Sequence, residues 1–442
     1  MSLSRRSFLA ASAAMAAAPA LGAVPKSGAI EVIVIGAGAA GIAAARKLAA
    51  AGRRFALVEA TDKVGGRCIT DTGLFGVPFD RGAHWMHFAD ANPVAKLAAQ
   101  AKMDVYPAPP GQTLRIGRRD AREGEMEVFL SSLGRASRAI ADVGRAKVDV
   151  PAARLLPKEL VEWRPAVEFV LGPYGVSKDL AEVSAFDFAK LQERDTEAFC
   201  RQGYGTLLGK LAQGLPVQLS SPVTNVDWAH SAVVVQTTRG ALSARAAIVT
   251  ASTSVLTGGA MKFKPSLPKR VIDALAKLSL GSLDHIALEL VGNPLGLRPD
   301  DLVFEKASGN RAAALIANVS GSSLCVVDVG GSFGKGLAAQ GQAAMVAFAT
   351  DWLADLYGTD VKKAVKRSHA TRWNDEPWTL GAFSSASVGG QGSRRVLTEP
   401  VRDRLWFAGE ATHETLWGTV GGAWESGERA ADAALKQLGR RS

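Results

Sequence analysis

Cysteine is scarce in this sequence: Cys68, Cys200 and Cys325 are the only three in 442 residues, far apart and odd in number. They form no CxxC pair and no disulfide framework, which excludes a small stapled scaffold, although one bridge stays open in an oxidising compartment. Histidine is nearly as scarce, six in all, and no HExxH occurs. His84 and His87 stand close together, but no neighbouring residue completes a ligand set, so no metal is expected. Beyond the N-terminal segment there is no apolar run long enough to span a membrane, no internal repeat and no low-complexity tract. An excess of acid is lacking too. The formal net charge is +10, with Lys and Arg spread along the chain, and the densest patch, RIGRRDARE (Arg115 to Glu123), contains acids. That is a solvated basic surface rather than a nucleic-acid stripe. It disfavours long polycationic substrates unless the site entrance is locally acidic, and the aromatic content of 7% points the same way.

What is present is a chain long enough for two domains, with 47% hydrophobic residues. It begins with SRRSFLAASAAMAAAPALGA: paired Arg5 and Arg6, a short weakly apolar run from Phe8 to Ala18, then small residues that suit cleavage at Ala20 or Ala23. This is the layout of a secretory signal of the twin-arginine type over residues 1–24, with the periplasm as destination. The run is too short and too alanine-rich for a membrane helix. Twin-arginine export carries folded proteins, which suits a chain that must load a cofactor before it leaves the cytoplasm.

The next stretch, AIEVIVIGAGAAGIAAARKLAAAGRRFALVEA, reads as a dinucleotide seat. Ile30 to Ile35 is a β-branched apolar run, the pattern of a buried parallel strand. Gly36, Gly38 and Gly41 give GxGxxG: a tight turn, a close backbone approach to a pyrophosphate, and close packing of helix on strand. The helix opening at Ala39 and Ala40 points its positive end at the phosphates. A second strand ends at Glu59 and Ala60, where the acid accepts from a ribose hydroxyl and argues against a 2′-phosphate. NAD and FAD both remain open at this point.

The choice between them comes with DKVGGRC, which places Gly65, Gly66 and Arg67 just past the ribose acid. From here the chain resembles the flavin-containing amine oxidase family. FDRGAHWMH is similar to the family's segment beside the flavin, and implies flavin contacts at Gly82, Ala83, His84 and Trp85. RQGYGTLLGKLAQGLPVQLSSPVTNVDW resembles the stretch whose valine, here Val223, meets the adenine. RLWFAGEATHETLWGTVGGAWESGERAA resembles the closing segment, with Gly409 and Glu410 near the ribityl and pyrophosphate, and Thr419 and Val420 at the isoalloxazine. The residues agree: a strand runs into a Gly-Glu turn and a glycine-rich helix start, whose N–H groups would face the flavin's pyrimidine edge.

The resemblance implies an α/β fold, a Rossmann-type FAD-binding domain with an interleaved α+β substrate domain. The first is expected at 25–90, 200–262 and 398–442, the second at 91–199 and 263–397. HIALEL and SLCVVDV would be strands of an antiparallel floor, covered by a helix from AAQGQAAMVAFATDWLADLYG. GGSFG fits a hydrolase elbow around Ser332, but reads better as a glycine-rich turn opening a helix.

The resemblance also locates the chemistry, removal of a hydride equivalent from the carbon beside an amine, and exposes departures from it. Where the family usually has a lysine holding a water against the flavin, LSLGSLDHIALEL has His285, a residue able to hold a water and to titrate nearer neutrality. Where some members have a cysteine joined to the flavin, EPWTLGAFSSA has Ala382, so the FAD is expected to be noncovalent. Phe383 and Trp378 then become aromatic walls that favour a neutral amine. The second tyrosine of the monoamine oxidases is replaced by Thr419, with Trp417 two residues away as a substitute, and His87 matches a histidine that polyamine oxidases carry near the substrate. The expected activity is an exported amine oxidase or dehydrogenase, with oxygen or a periplasmic redox protein as acceptor; a homodimer is admitted. The alternatives are an amino-acid oxidase, with Arg201 or Arg372 as carboxylate clamp, a desaturase, and a flavin-bearing binding protein without turnover.

Overall fold

The computed structural model describes residues 30–145, 148–192 and 196–439; the export segment expected at 1–24 lies outside them. Continuous apolar runs call for a sheet covered on both faces, and Val32–Ile35 lies at the centre of one. Its five strands, all parallel, run in the order Val217–Gln218, Phe55–Val58, Val32–Ile35, Ala246–Val249 and Leu405–Phe407. Val32 and Val34 face the helices Ala39–Ala50 and Val420–Gly439. Ile33 and Ile35 face the opposite way, onto Val226, Val233 and Val235 of a β-meander. The two helices approach so closely that a Cβ on Gly427 would lie 2.0 Å from the Ala40 carbonyl oxygen. Alanine and glycine in both sequences make that crossing possible.

A second, seven-stranded sheet forms the floor expected from HIALEL and SLCVVDV. Leu283–Leu290 lies between Val365–Ala370 and Leu324–Gly330, antiparallel to both, with His285 directly opposite Asp328. One pair departs from the antiparallel expectation: Thr113–Ile116 runs parallel to Leu302–Glu305, because it arrives from a distant part of the chain and not through a hairpin. Alternation along these strands sorts the side chains. Ile286, Leu288, Val327 and Val329 pack under Met345, Phe348 and Trp352 of the helix Gln342–Tyr357, while His285 and Asp328 take the other face. Ser332 is exposed, its N–H donates to Asp179 and it opens the helix Gly331–Ala338, as the turn reading expects. The three cysteines are buried free thiols.

The helical layer around residues 123–188 is joined to the C-terminal segment by a fully buried ion pair. Arg394 Nε and Nη2 donate to the two oxygens of Asp187 at 2.9 and 2.8 Å, and Nη1 donates to the Ser384 hydroxyl and the Ala411 carbonyl. The guanidinium lies over the Trp417 ring, 4.4 Å from its centre. Asp187→Ala would leave a buried, uncompensated cation, so it is expected to cost about 3–5 kcal/mol of stability, read as a lower urea midpoint in equilibrium unfolding.

Candidate active site

The glycine loop after Val32–Ile35 uses each glycine differently. Gly36 has φ +101°, and a Cβ there would meet Thr250 Oγ1 at 2.5 Å. Gly41 is set by packing, since its Cβ would fall 1.8 Å from the Gly36 carbonyl oxygen. Gly38 is neither strained nor crowded: its φ is −76°, and the nearest protein atoms to a Cβ would be Gly66 Cα at 3.8 Å and Gly65 O at 3.9 Å. The space its missing side chain leaves therefore belongs to the cavity. The helix that follows has no acid in its first turn and no side-chain cap, and Ala39 and Ala40 line the cavity, so N–H groups and the positive helix end are presented to an anion.

Glu59 closes this seat. One oxygen accepts from the Ala37 N–H at 2.7 Å, the other from the Thr61 N–H and hydroxyl at 2.9 Å, which fixes the carboxylate at the end of the second strand. Past it, Gly65 and Gly66 turn with positive φ, and Gly65 donates to the Ala37 carbonyl. Arg67 then spans to Ala382 O at 2.6 Å and Glu410 Oε1 at 3.0 Å. A pyrophosphate cradle that only a missing Cβ opens, beside a ribose-reaching acid, fits a dinucleotide.

From the cradle a cavity of about 770 Å³ continues to the seven-stranded sheet. Its walls include Gly36, Gly38, Ala39, Ala40, Glu59, Ala60, Gly65, Gly66 and Arg67. The loop at Gly82, Ala83, His84 and Trp85 lines it too, with Val223, Gly409, Glu410, Thr419 and Val420. His285, His87, Phe383 and Trp378 reach the same space. Two expected site residues do not. Gly41 is consumed by helix–strand contact, the packing role its spacing implies. Trp417 is a correction: it is wholly buried in the helical core beneath Arg394, on the far side of Gly418 from the cavity-lining Thr419. Gly418 itself has φ +71° and admits the Phe383 ring, 2.9 Å from where its Cβ would stand.

The structure also brings in residues that the sequence did not single out: Thr250, Tyr174, Glu197 and Asp328 line the cavity. Glu197 lies 2.7 Å from His87 Nδ1. Asp328 lies 2.5 Å from His285 Nδ1, and the other ring nitrogen, Nε2, lies 2.8 Å from the Gly82 carbonyl oxygen. Both nitrogens of His285 are engaged by protein acceptors, which corrects the expectation that it holds a water. Burial alone would push its pKa down, but the Asp328 charge and hydrogen bond, the Gly82 carbonyl and the Asp284 charge outweigh it and raise the ring to about 9. Asp284, on the opposite face of the same strand, is pushed up to about 6 by burial, against hydrogen bonds from the Trp373 N–H and Thr371 hydroxyl. The signal in the sequence was polar residues inside largely apolar strands, Asp328 in SLCVVDV and Asp284, His285 and Glu289 in LDHIALEL.

Nothing nucleophilic stands at 382, where Ala382 lines the cavity, and burial pushes the nearby Cys68 thiol up to about 12. Arg201 and Arg372, the clamps of the amino-acid reading, are exposed, paired with Asp104 and Asp375, and stand outside the cavity wall. Among the described residues no group of His, Cys, Asp and Glu could hold a metal ion, and no helix is long and apolar enough to cross a membrane.

The family described as flavin containing amine oxidoreductase matches residues 39–435. Human lysine-specific histone demethylase 2 is 28% identical over 90% of this chain, and the chain spans about half of that relative, 53%. Rice (Oryza sativa subsp. japonica) polyamine oxidase 4 is 27% identical over 92% of this chain and 89% of its own length. Among solved structures, cyclohexylamine oxidase from Brevibacterium oxydans superimposes with a TM-score of 0.79 at 20% identity, covering 93% of this chain and all (100%) of that one.

The glycine geometry separates two roles. Gly38→Ala is expected to leave the fold intact while weakening FAD binding about 10- to 100-fold, the loss of one or two charge-assisted phosphate contacts. Gly41→Ala is expected to lower the melting temperature of the apoprotein as well. Flavin titration and circular-dichroism melts of both variants distinguish these outcomes.

Proposed function

This chain belongs to the flavin containing amine oxidoreductase family, and from that premise we propose that it oxidises a small amine at the carbon beside nitrogen, giving an imine that hydrolyses to a carbonyl compound. The observation that carries this is the continuity of one cavity from the Gly38 cradle to the walls made by Phe383, Tyr174, Leu302 and Val170. The residues that would hold FAD are the loop Gly36 to Ala40, Glu59, Gly65 to Arg67, Val223, Glu410, Thr419 and Val420. Bound FAD supplies the acceptor for the two electrons of the broken C–H bond.

The chain supplies capture, desolvation and orientation. Trp378 and Glu376 are exposed where they line the cavity, and present an aromatic face and a carboxylate to an arriving ammonium. Deeper in, apolar walls favour the neutral amine by desolvation. The His87–Glu197 pair on the same wall provides a place for the released proton. Export by the twin-arginine route after the flavin is loaded, and oxygen or a periplasmic redox protein as acceptor, complete the reading.

Anaerobic mixing of purified protein with a panel of amines and their amino-acid counterparts, followed by air, tests it. Amines should bleach the flavin absorbance and amino acids should not; recovery in air reports an oxidase. Folded protein that retains no flavin, or a flavin that no amine bleaches, would sink the proposal. Substituting both Arg5 and Arg6 by Lys should hold flavin-loaded protein in the cytoplasm of a cell that otherwise exports it, as shown by fractionation.

A further inference from the structure

Four side chains of the seven-stranded sheet line the cavity, Leu283, His285, Leu302 and Asp328, and the two polar ones are a cross-strand pair. The ring is held at both ends. Gly82 O is an acceptor with no proton to give, so Nε2 must donate to it at 2.8 Å, and Nδ1 faces a carboxylate oxygen at 2.5 Å. Gly82 is packed closely from the other side, where a Cβ would lie 1.9 Å from the Arg67 carbonyl oxygen and 2.9 Å from the Trp373 ring. His285 is also fixed along its backbone, its N–H donating to Thr371 Oγ1 at 2.9 Å.

We propose that Asp328 is a positioning residue: it pins His285 as a doubly protonated imidazolium against the Gly82 carbonyl, and so locks the flavin-facing loop Gly82 to Trp85 onto the floor of the substrate cavity. His285 is then a clasp with no open nitrogen, and neither a base nor a water ligand. The inference concerns the loop and the cofactor seat and does not depend on which amine is oxidised.

The charged groups around the clasp set its pH dependence. Asp328 faces it from the neighbouring strand, and Asp284 lies one residue back on its own. Arg67, Arg81 and His84 line the cavity from the loop side, and Glu376 from the segment after Trp373. The two carboxylates win over burial and the ring's pKa stands above its unfolded value, so the clasp's contribution to stability is fully present below about pH 6.5. It is lost as pH rises through about 9, when an unprotonated Nδ1 would turn its lone pair toward a carboxylate.

The test is a carbon-13 and nitrogen-15 NMR titration of the histidines in the flavin-loaded protein, with His285→Gln identifying the resonance. In the native protein His285 should titrate near pH 9 with both nitrogens protonated at neutrality. In Asp328→Asn it should titrate at least two units lower, and Asp328→Glu should restore part of the difference. FAD release, followed by fluorescence, should rise about tenfold above pH 9 in the native protein, and the same rise should appear near neutrality in Asp328→Asn. A native His285 that titrates in the ordinary range near 6.5, or one singly protonated at neutral pH, overturns the proposal without any variant having to fold. So does an FAD-release profile that Asp328→Asn leaves in place. Failure of amine oxidation with the titration intact would count against the proposed activity alone.

Discussion

The Glu410 carboxylate accepts from Arg67 at 3.0 Å and the Ser384 N–H at 3.1 Å on one oxygen, and from the Ser384 hydroxyl at 2.7 Å and the Gly418 N–H at 3.0 Å on the other. Arg67 reaches this carboxylate from 343 residues away, whereas Ser384 and Gly418 come from the C-terminal part of the chain. The carboxylate is buried, and leaving any of its lone pairs unmatched would cost more than a surface contact returns. Satisfying it forces the GGRC loop, the Ala382–Ser384 turn and the start of the C-terminal helix into one arrangement. Arg394 extends the constraint, since it shares Ser384 Oγ with Glu410 and reaches Asp187 in the helical layer. The two sheets and the helices thus meet around a small set of buried charges.

That arrangement explains the uneven legibility of the sequence. The glycine loop was readable because its requirements are local: a turn, a close approach and a helix start, all within a few residues. Trp417 was misread for a matching reason. Proximity along the chain placed it near the flavin, but Gly418 adopts φ +71° and Glu410 holds its N–H, so the backbone reverses and residues 417 and 419 face opposite ways. No spacing rule carries that reversal. The His285–Asp328 pair was half visible. Both strands could be recognised from their apolar runs, yet the register that sets the two polar residues opposite each other is a tertiary outcome.

The fold class was easier to anticipate than its details, because apolar strands flanked by glycine turns leave few ways to build a doubly covered sheet. What patterning could not supply was the parallel joint between Thr113–Ile116 and Leu302–Glu305, which links residues far apart in sequence. Tyr174 lies at the end of a wide π-turn over Val170–Tyr174, and it shares the cavity wall with Val170.

The charges along the cavity follow one rule. Arg67 meets Glu410, Arg81 meets Glu376, His87 meets Glu197 and His285 meets Asp328. Each of these basic side chains already has its own carboxylate, whereas Lys63, exposed on the cavity wall, has none among the described residues. The rest of the anion-binding capacity belongs to backbone N–H groups at the start of Ala39–Ala50 and to the glycines before it. Backbone donors do not titrate. The backbone part of the cofactor seat is thereby insulated from pH, and the pH sensitivity proposed above belongs to the flavin end, where the His285 ring joins loop to sheet.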